Sequence, residues 1–237
     1  YGNDDISHTC GVTVYGSAHC WGDNTFGQTD VPTGTGGASI TWAMLSTGGV
    51  HSCGITITGT LYCWGRGAYG ELNVPAGYSW TSVACGWATT CAITDDDELK
   101  CFGRYEQTST PGTLNTDAAM VDFGIQHGCG LTSAGSVACW GWGSGSYGGD
   151  NPPTQYTYTS ISTGGYPSCG IATTGTVYCW GKNNYGQSNV PTGITFVSVS
   201  AGFDHTCGVS TSGSIHCWGD NQNGEDSVPT GVSSWAN

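Results

Sequence analysis

Basic residues are almost missing from this chain. Four of them, Arg66, Lys100, Arg104 and Lys182, stand against seventeen acidic ones, and the 237 residues carry a formal charge of −13. A surface of that sign repels a phosphate backbone and an anionic bilayer, which speaks against nucleic acid or a membrane surface as partner. Long apolar runs are missing too: nothing approaches the roughly 20 residues of a spanning helix, so membrane insertion is not expected. The Cys-x-x-Cys and clustered Cys/His spacings that hold zinc do not occur, and neither a metal nor a cofactor is expected. No Asn-x-Ser/Thr acceptor occurs, so sequon N-glycosylation is not expected, while O-linked sugars on the many Ser and Thr stay open. Neither a Ser/His/Asp arrangement nor a repeat-breaking polar cluster stands out, which leaves an extracellular enzyme as the weakest functional reading. The chain starts at Tyr1 without a signal peptide, so a secreted precursor is expected to have been trimmed.

Cysteine and glycine are what the chain has in quantity, 13 and 41 residues. Twelve cysteines fall into six pairs ten positions apart: Cys10/Cys20, Cys53/Cys63, Cys91/Cys101, Cys129/Cys139, Cys169/Cys179 and Cys207/Cys217. Facing each other across an antiparallel hairpin, Cys10 and Cys20 bring Val12 opposite Ala18 and Thr13 opposite Ser17. The three-residue loop Val14-Tyr15-Gly16 then closes the hairpin, and its last position calls for a left-handed backbone. That position is Gly16, Gly59, Gly135, Gly175 and Gly213, with Asp97 in the remaining copy. Six disulfides follow, and with them an oxidising, extracellular compartment.

Side chains alternate across a strand, which sorts the two faces. Aliphatic pairs such as Ile55/Leu61 and Ile171/Val177 share the cysteine face. The other face carries the residue after the first cysteine (Gly11, Gly54, Ala92, Gly130, Gly170, Gly208) and the aromatic after the second (Trp21, Trp64, Phe102, Trp140, Trp180, Trp218). A flat ring beside a glycine implies close sheet-to-sheet packing, with both faces buried. First cysteines follow one another at intervals of 43, 38, 38, 40 and 38, and the wrap from Cys207 through the C-terminus to Cys10 is 40. Such regularity predicts an all-β fold: one six-bladed β-propeller over residues 1–237, with one disulfide per blade, closed by pairing of the N- and C-terminal segments. Four strands are expected per blade. The hairpin gives two, runs such as Phe196–Ser200 and Trp80–Ala84 a third, and the Val-Pro segments at 31, 74, 190 and 228 lie near the fourth.

Gly-x-x-His-x-Cys, then Gly, then Cys-Trp-Gly-x-Asn-x-x-Gly-Gln resembles the regulator-of-chromosome-condensation repeat in a cysteine-paired form like its secreted, mostly microbial versions. The resemblance covers essentially the whole chain, although the best-known members have seven blades. The nuclear member's nucleotide-exchange activity does not carry over, because no exchange motif matches residue by residue and the compartment is wrong.

His8, His51, His127 and His205 each stand two before a first cysteine. Thr89 and Pro167 hold that position in the other copies, so a strand-bridging role fits better than a metal ring. The acidic segments Asp95–Glu98 and Asp220–Asp226 read as solvated turns rather than calcium loops. Cys85 is odd, either an unpaired buried thiol or a link to another chain. Phe26, Tyr69, Tyr147 and Tyr185, beside Asp30, Asn73, Asn151 and Asn189, are the candidate ligand-binding residues, since aromatic faces next to amides hold sugar rings. The third and fourth copies depart most from the pattern. The expected function is a secreted, non-enzymatic scaffold or adhesion propeller. Its partners would be other extracellular proteins, glycans, or further copies of itself in a homo-oligomer or filament that depends on residues 85–150. The alternative is a multivalent lectin.

Overall fold

The computed structural model describes residues 7–104, 108–141, 149, 151–225 and 227–228. Two compact units divide the chain, Tyr1–Val121 and Asp122–Asn237, and the cut falls inside a strand. In the first unit β1 (His8–Val12) and β2 (Ala18–Gly22) form a two-stranded sheet. Three-stranded sheets follow, of β3 (Trp42–Thr47), β4 (His51–Thr56) and β5 (Leu61–Gly65), then of β6 (Trp80–Cys85), β7 (Thr89–Thr94) and β8 (Leu99–Gly103). The second unit holds the sheets of β9 (Met120–Phe123), β10 (His127–Leu131) and β11 (Val137–Gly141), of β12 (Tyr158–Thr163), β13 (Pro167–Ala172) and β14 (Val177–Gly181), and of β15 (Phe196–Ala201), β16 (His205–Ser210) and β17 (Ile215–Gly219). Val31-Pro32, Val74-Pro75 and Val190-Pro191 lie in no strand, so the expected fourth strand is not there among the described residues. Proline cannot donate to a ladder, and these segments run as irregular connections instead.

Hairpin register follows the sequence arithmetic. Cys10 faces Cys20 and Val12 faces Ala18, with the same offsets in every copy. The disulfides are Cys10–Cys20, Cys53–Cys63, Cys91–Cys101, Cys129–Cys139, Cys169–Cys179 and Cys207–Cys217, each spanning ten positions. Thr13 N–H donates to the Ser17 carbonyl at 2.9 Å and Gly16 N–H to the Thr13 carbonyl at 2.9 Å, which closes the three-residue loop. Gly16 has φ +79°, and Asp97 at φ 60° is the only non-glycine in the left-handed region among the described residues. Asp97→Gly should therefore raise stability by about 0.5–1 kcal/mol, read as a higher denaturant midpoint at unchanged slope. A neutral or lower midpoint would mean that the Asp97 side chain offsets its backbone cost.

The middle strands are covered on both faces: every residue of β4, β7 and β13 is buried. Burial of both faces does not extend to the whole hairpin, and here the expectation needs correcting. The second cysteines Cys20, Cys63, Cys101, Cys139, Cys179 and Cys217 are only half-buried, whereas Cys53, Cys91, Cys129 and Cys169 are fully buried. The reason is position in the sheet. Each second cysteine lies on an outer strand that pairs on one side only, while Cys53, Cys91, Cys129 and Cys169 lie on middle strands.

On the cysteine side Cys53, Ile55 and Leu61 pack against Trp80, Val83, Cys85, Ala92 and Phe102 of the next sheet, with Cys63 at the margin. Cys169, Ile171 and Val177 likewise meet Phe196 and Trp218, with Cys179 at the margin. Beside Gly54, Gly170 and Gly208 the ring lying on the glycine is not the one the sequence pointed to, whereas at Gly11 it is, with Trp21 3.9 Å from a Cβ placed there. A Cβ at Gly54 would come 2.7 Å from Trp42, at Gly170 2.6 Å from Tyr158, and at Gly208 2.7 Å from Phe196. These aromatics open the first strand of each sheet, and the tryptophan after the second cysteine tilts against them, 5.7 Å between ring centres for Trp42 and Trp64. The first sheet has no such strand before it, and Trp21 is 58% exposed.

Candidate functional site

The turns after Trp21, Trp64 and Trp180 are each organised by a glutamine or glutamate. Phe26 N–H donates to Gln28 Oε1 at 2.8 Å, Tyr69 N–H to Glu71 Oε2 at 2.7 Å, and Tyr185 N–H to Gln187 Oε1 at 2.9 Å. Those three side chains are fully buried. Their backbone carbonyls reach the following sheet. The Gln28 carbonyl accepts from Trp64 Nε1 at 3.0 Å and from Ser52 Oγ at 2.9 Å, and the Gln187 carbonyl from Trp218 Nε1 and Thr206 Oγ1. In the third sheet the Phe102 ring has no N–H to give, and Thr90 Oγ1 donates to the Glu71 carbonyl at 2.8 Å.

The repeat histidines complete this clasp. His8 Nε2 lies 2.8 Å from Ser52 Oγ, His51 Nε2 2.9 Å from Thr90 Oγ1, and His127 Nε2 2.6 Å from Ser168 Oγ. Because the Ser52 and Thr90 hydroxyl hydrogens go to loop carbonyls, the imidazole must donate, which fixes the Nε2–H tautomer. Burial pushes His51 and His127 down to about 4, so both rings are neutral at ordinary pH. His8, His51 and His127 thus bridge sheets, each bonding the residue before the next first cysteine.

Cys85 is buried, and burial pushes its thiol up to about 12. Its sulfur, Cys53 Sγ and a His51 nitrogen lie within 4.8 Å of one another. Cys53 is spent in its disulfide with Cys63, which leaves one thiol and one imidazole, too few for a structural zinc set.

The candidate ligand-binding aromatics do not share one pocket. Phe26, Tyr69 and Tyr185 stand on separate turns, 39%, 51% and 46% exposed, and Tyr147 falls outside the described residues. Their amide and carboxylate neighbours are partly used up: Asn24 Nδ2 donates to Asp30 at 2.8 Å and Asn183 Nδ2 to Asn189 at 2.8 Å. Cations lie over the rings. The Arg66 guanidinium sits 5.3 Å from the Phe26 ring centre and 5.8 Å from that of Tyr69, and Arg104 is 6.0 Å from Tyr69. Lys182 lies 4.5 Å from Tyr166 and 5.6 Å from Tyr185, and it pairs with Asp204 at 3.0 Å. Composition alone hid this arrangement. The signal that could have found it is positional, because Arg66, Arg104 and Lys182 stand three residues after Cys63, Cys101 and Cys179.

The Regulator of chromosome condensation (RCC1) repeat matches residues 45–71, 80–104, 158–187 and 196–225. Over these stretches the chain carries RCC1-type repeats. Its fold class is all-β, a propeller of six cysteine-paired blades. The ectodomain of the receptor kinase CR4 from Physcomitrella patens is 26% identical with a TM-score of 0.78, over 95% of this chain and 64% of that one. The chain thus spans under two thirds of the moss ectodomain. The CRINKLY WD40 ectodomain of ACR4 from Arabidopsis thaliana is 28% identical at a TM-score of 0.70, over 90% of this chain and 76% of that one. Prp20p from Saccharomyces cerevisiae, 15% identical at 0.74 over 92% and 70%, shares the fold alone. No curated protein matches the sequence. Disulfides and ectodomain neighbours together point to an extracellular setting. No helix among the described residues is long and apolar enough to cross a membrane.

Proposed function

We propose that this protein is a non-enzymatic extracellular scaffold that associates with further copies of itself. Closure of residues 1–237 into one ring through the terminal segments belongs to the same proposal; residues 1–6 and 229–237 lie outside the described ones. One observation carries the reading over the lectin alternative. The rings that a sugar would stack on, Phe26, Tyr69 and Tyr185, are already stacked by Arg66 and Lys182. A ring face covered by a cation offers little C–H contact to a neutral hexose. A scaffold needs unlike ends so that copies dock in a fixed orientation, and the turns of this chain differ from sheet to sheet.

Sedimentation of the purified protein over a concentration series, beside a broad array of neutral glycans, tests the proposal. Concentration-dependent self-association without glycan binding is expected. A monomer that binds neutral sugar, and loses it stepwise with Phe26→Ala, Tyr69→Ala and Tyr185→Ala, would install the lectin instead.

A further inference from the structure

The first unit presents two different ends. Its sheets stack in like orientation, because His8 bonds Ser52 and His51 bonds Thr90 at equivalent positions of successive sheets. The hairpin tips therefore gather at one end of the strands and the turns after the tryptophans at the other. Five or six residues at about 3.3 Å each separate the two ends by roughly 16–20 Å.

At the tip end Val14 is 95% exposed, Tyr15 88% and Ile57 67%, and beside them stand the exposed Asp95, Asp96 and Asp97. Glu98 is not part of that charge, since Lys100 pairs with it at 2.8 Å. Large apolar side chains thus stand in water on two successive tips. The second unit has none there: its tips read Ser133-Ala134, Thr173-Thr174 and Thr211-Ser212. At the opposite end the half-exposed rings of Phe26 and Tyr69 hold Arg66 between them, and Arg104 extends the stack. The acidic groups at this end are turned to other work. Asp23 accepts from Thr25 and Gln28, Asp30 accepts from Asn24, and Glu71 is buried.

Apolar groups beside carboxylates at one end, and aromatic rings beside a guanidinium at the other, are complementary in kind and in charge. Resting on the scaffold reading, we infer that the tip end of one copy's first unit docks on the turn end of the next, with Asp95–Asp97 meeting Arg66 and Val14, Tyr15 and Ile57 meeting Phe26 and Tyr69. A guanidinium held by aromatic faces keeps its fork fixed for a carboxylate, so little side-chain freedom is lost on docking. The two patches differ, so the contact is heterologous and repeats from copy to copy until it closes or runs on as a filament. Arg66 has a second use in this scheme: free copies keep its charge stacked on their own rings rather than on bulk solvent.

Charge exchange between two variants tests it. Arg66→Glu places like charge opposite the native tip, and Asp95→Lys with Asp96→Lys places like charge opposite the native turns. Asp95 and Asp96 are exposed and Arg66 is half-buried, so equal melting curves of both variants and wild type would verify folding. Each variant alone should associate about a hundredfold more weakly than wild type, since like charges across an interface cost several kcal/mol. An equimolar mixture should recover wild-type association, because each junction then joins opposite charges. If wild type associates and either variant alone matches it, or the mixture stays monomeric, this interface is wrong and the scaffold reading survives. If wild type is monomeric throughout the concentration series, both fall together.

Discussion

Full reduction should unfold this protein at room temperature. Each disulfide closes a loop of ten residues, worth on the order of 2–3 kcal/mol in the chain-entropy account. Six such links together match or exceed the roughly 5–15 kcal/mol by which ordinary domains are stable. What is left without them is thin, because the cores are slices between sheets: Cys53, Ile55 and Leu61 on one side, Trp80 and Phe102 on the other. The cysteines are themselves core atoms, with Cys53, Cys91, Cys129 and Cys169 fully buried. Loss of the cooperative thermal transition in the reduced, alkylated chain is the expected result. Removing single pairs by alanine should grade the effect. Cys53/Cys63, whose first member is covered on both sides, should cost more than Cys10/Cys20, whose sheet is partly open. Native-like melting of the reduced chain would show that packing alone holds the sheets.

Acid should be the second large lever. His51 and His127 sit at about 4 against an ordinary 6.5, so the unfolded chain takes up protons that the folded one refuses. Their contribution is complete above pH 6.5 and is lost as pH falls toward 4, by roughly 3 kcal/mol for each ring at about 1.4 kcal/mol per unit. Asp122 works in the opposite sense, because burial raises its carboxyl and its ionisation disfavours the fold above the ordinary aspartate range. That opposing slope starts at the ordinary aspartate value and runs upward into the same window, where one carboxyl offsets part of what the two rings lose. Denaturant midpoints should therefore fall steeply over that window. His51→Thr with His127→Thr, borrowing the residue of the third repeat, should flatten the fall while lowering stability at neutral pH through the lost bridges. An unchanged slope in the double variant would assign the acid sensitivity elsewhere.

Repetition made most of the architecture legible. Ten-residue cysteine spacing with glycine at a fixed turn position determines pairing, register and loop together, and Asp97 falls where the frame demands. Burial was legible only for the middle strand. Cys53 and Cys63 look equivalent in the repeat, yet one has a strand on either side and the other does not. The Val-Pro segments misled because hydrophobic residues beside proline look like an edge strand, and only the absent ladder partner tells them apart. Gly54 was read correctly as a contact point, yet its partner is Trp42, eleven residues before Cys53 and in a different strand. Alternation across the hairpin had placed Trp64 on its face. The candidate site was less legible still. Phe26 and Tyr69 were visible as aromatics, but what they do depends on Arg66 lying between rings from two different repeats, and only chain packing brings those together.

The carbonyl of Gln28 belongs to one repeat and serves the next, while the side chain of the same residue closes its own turn. Severing the chain near residues 24–28 would therefore release two neighbouring sheets at once. The connection beyond it is different: Thr35–Gly37 form a short exposed turn without buried residues, and its hydrogen bonds stay within residues 34–38. New chain ends, inserted modules or protease nicks belong there, since a break at residues 35–37 leaves every clasp between sheets intact.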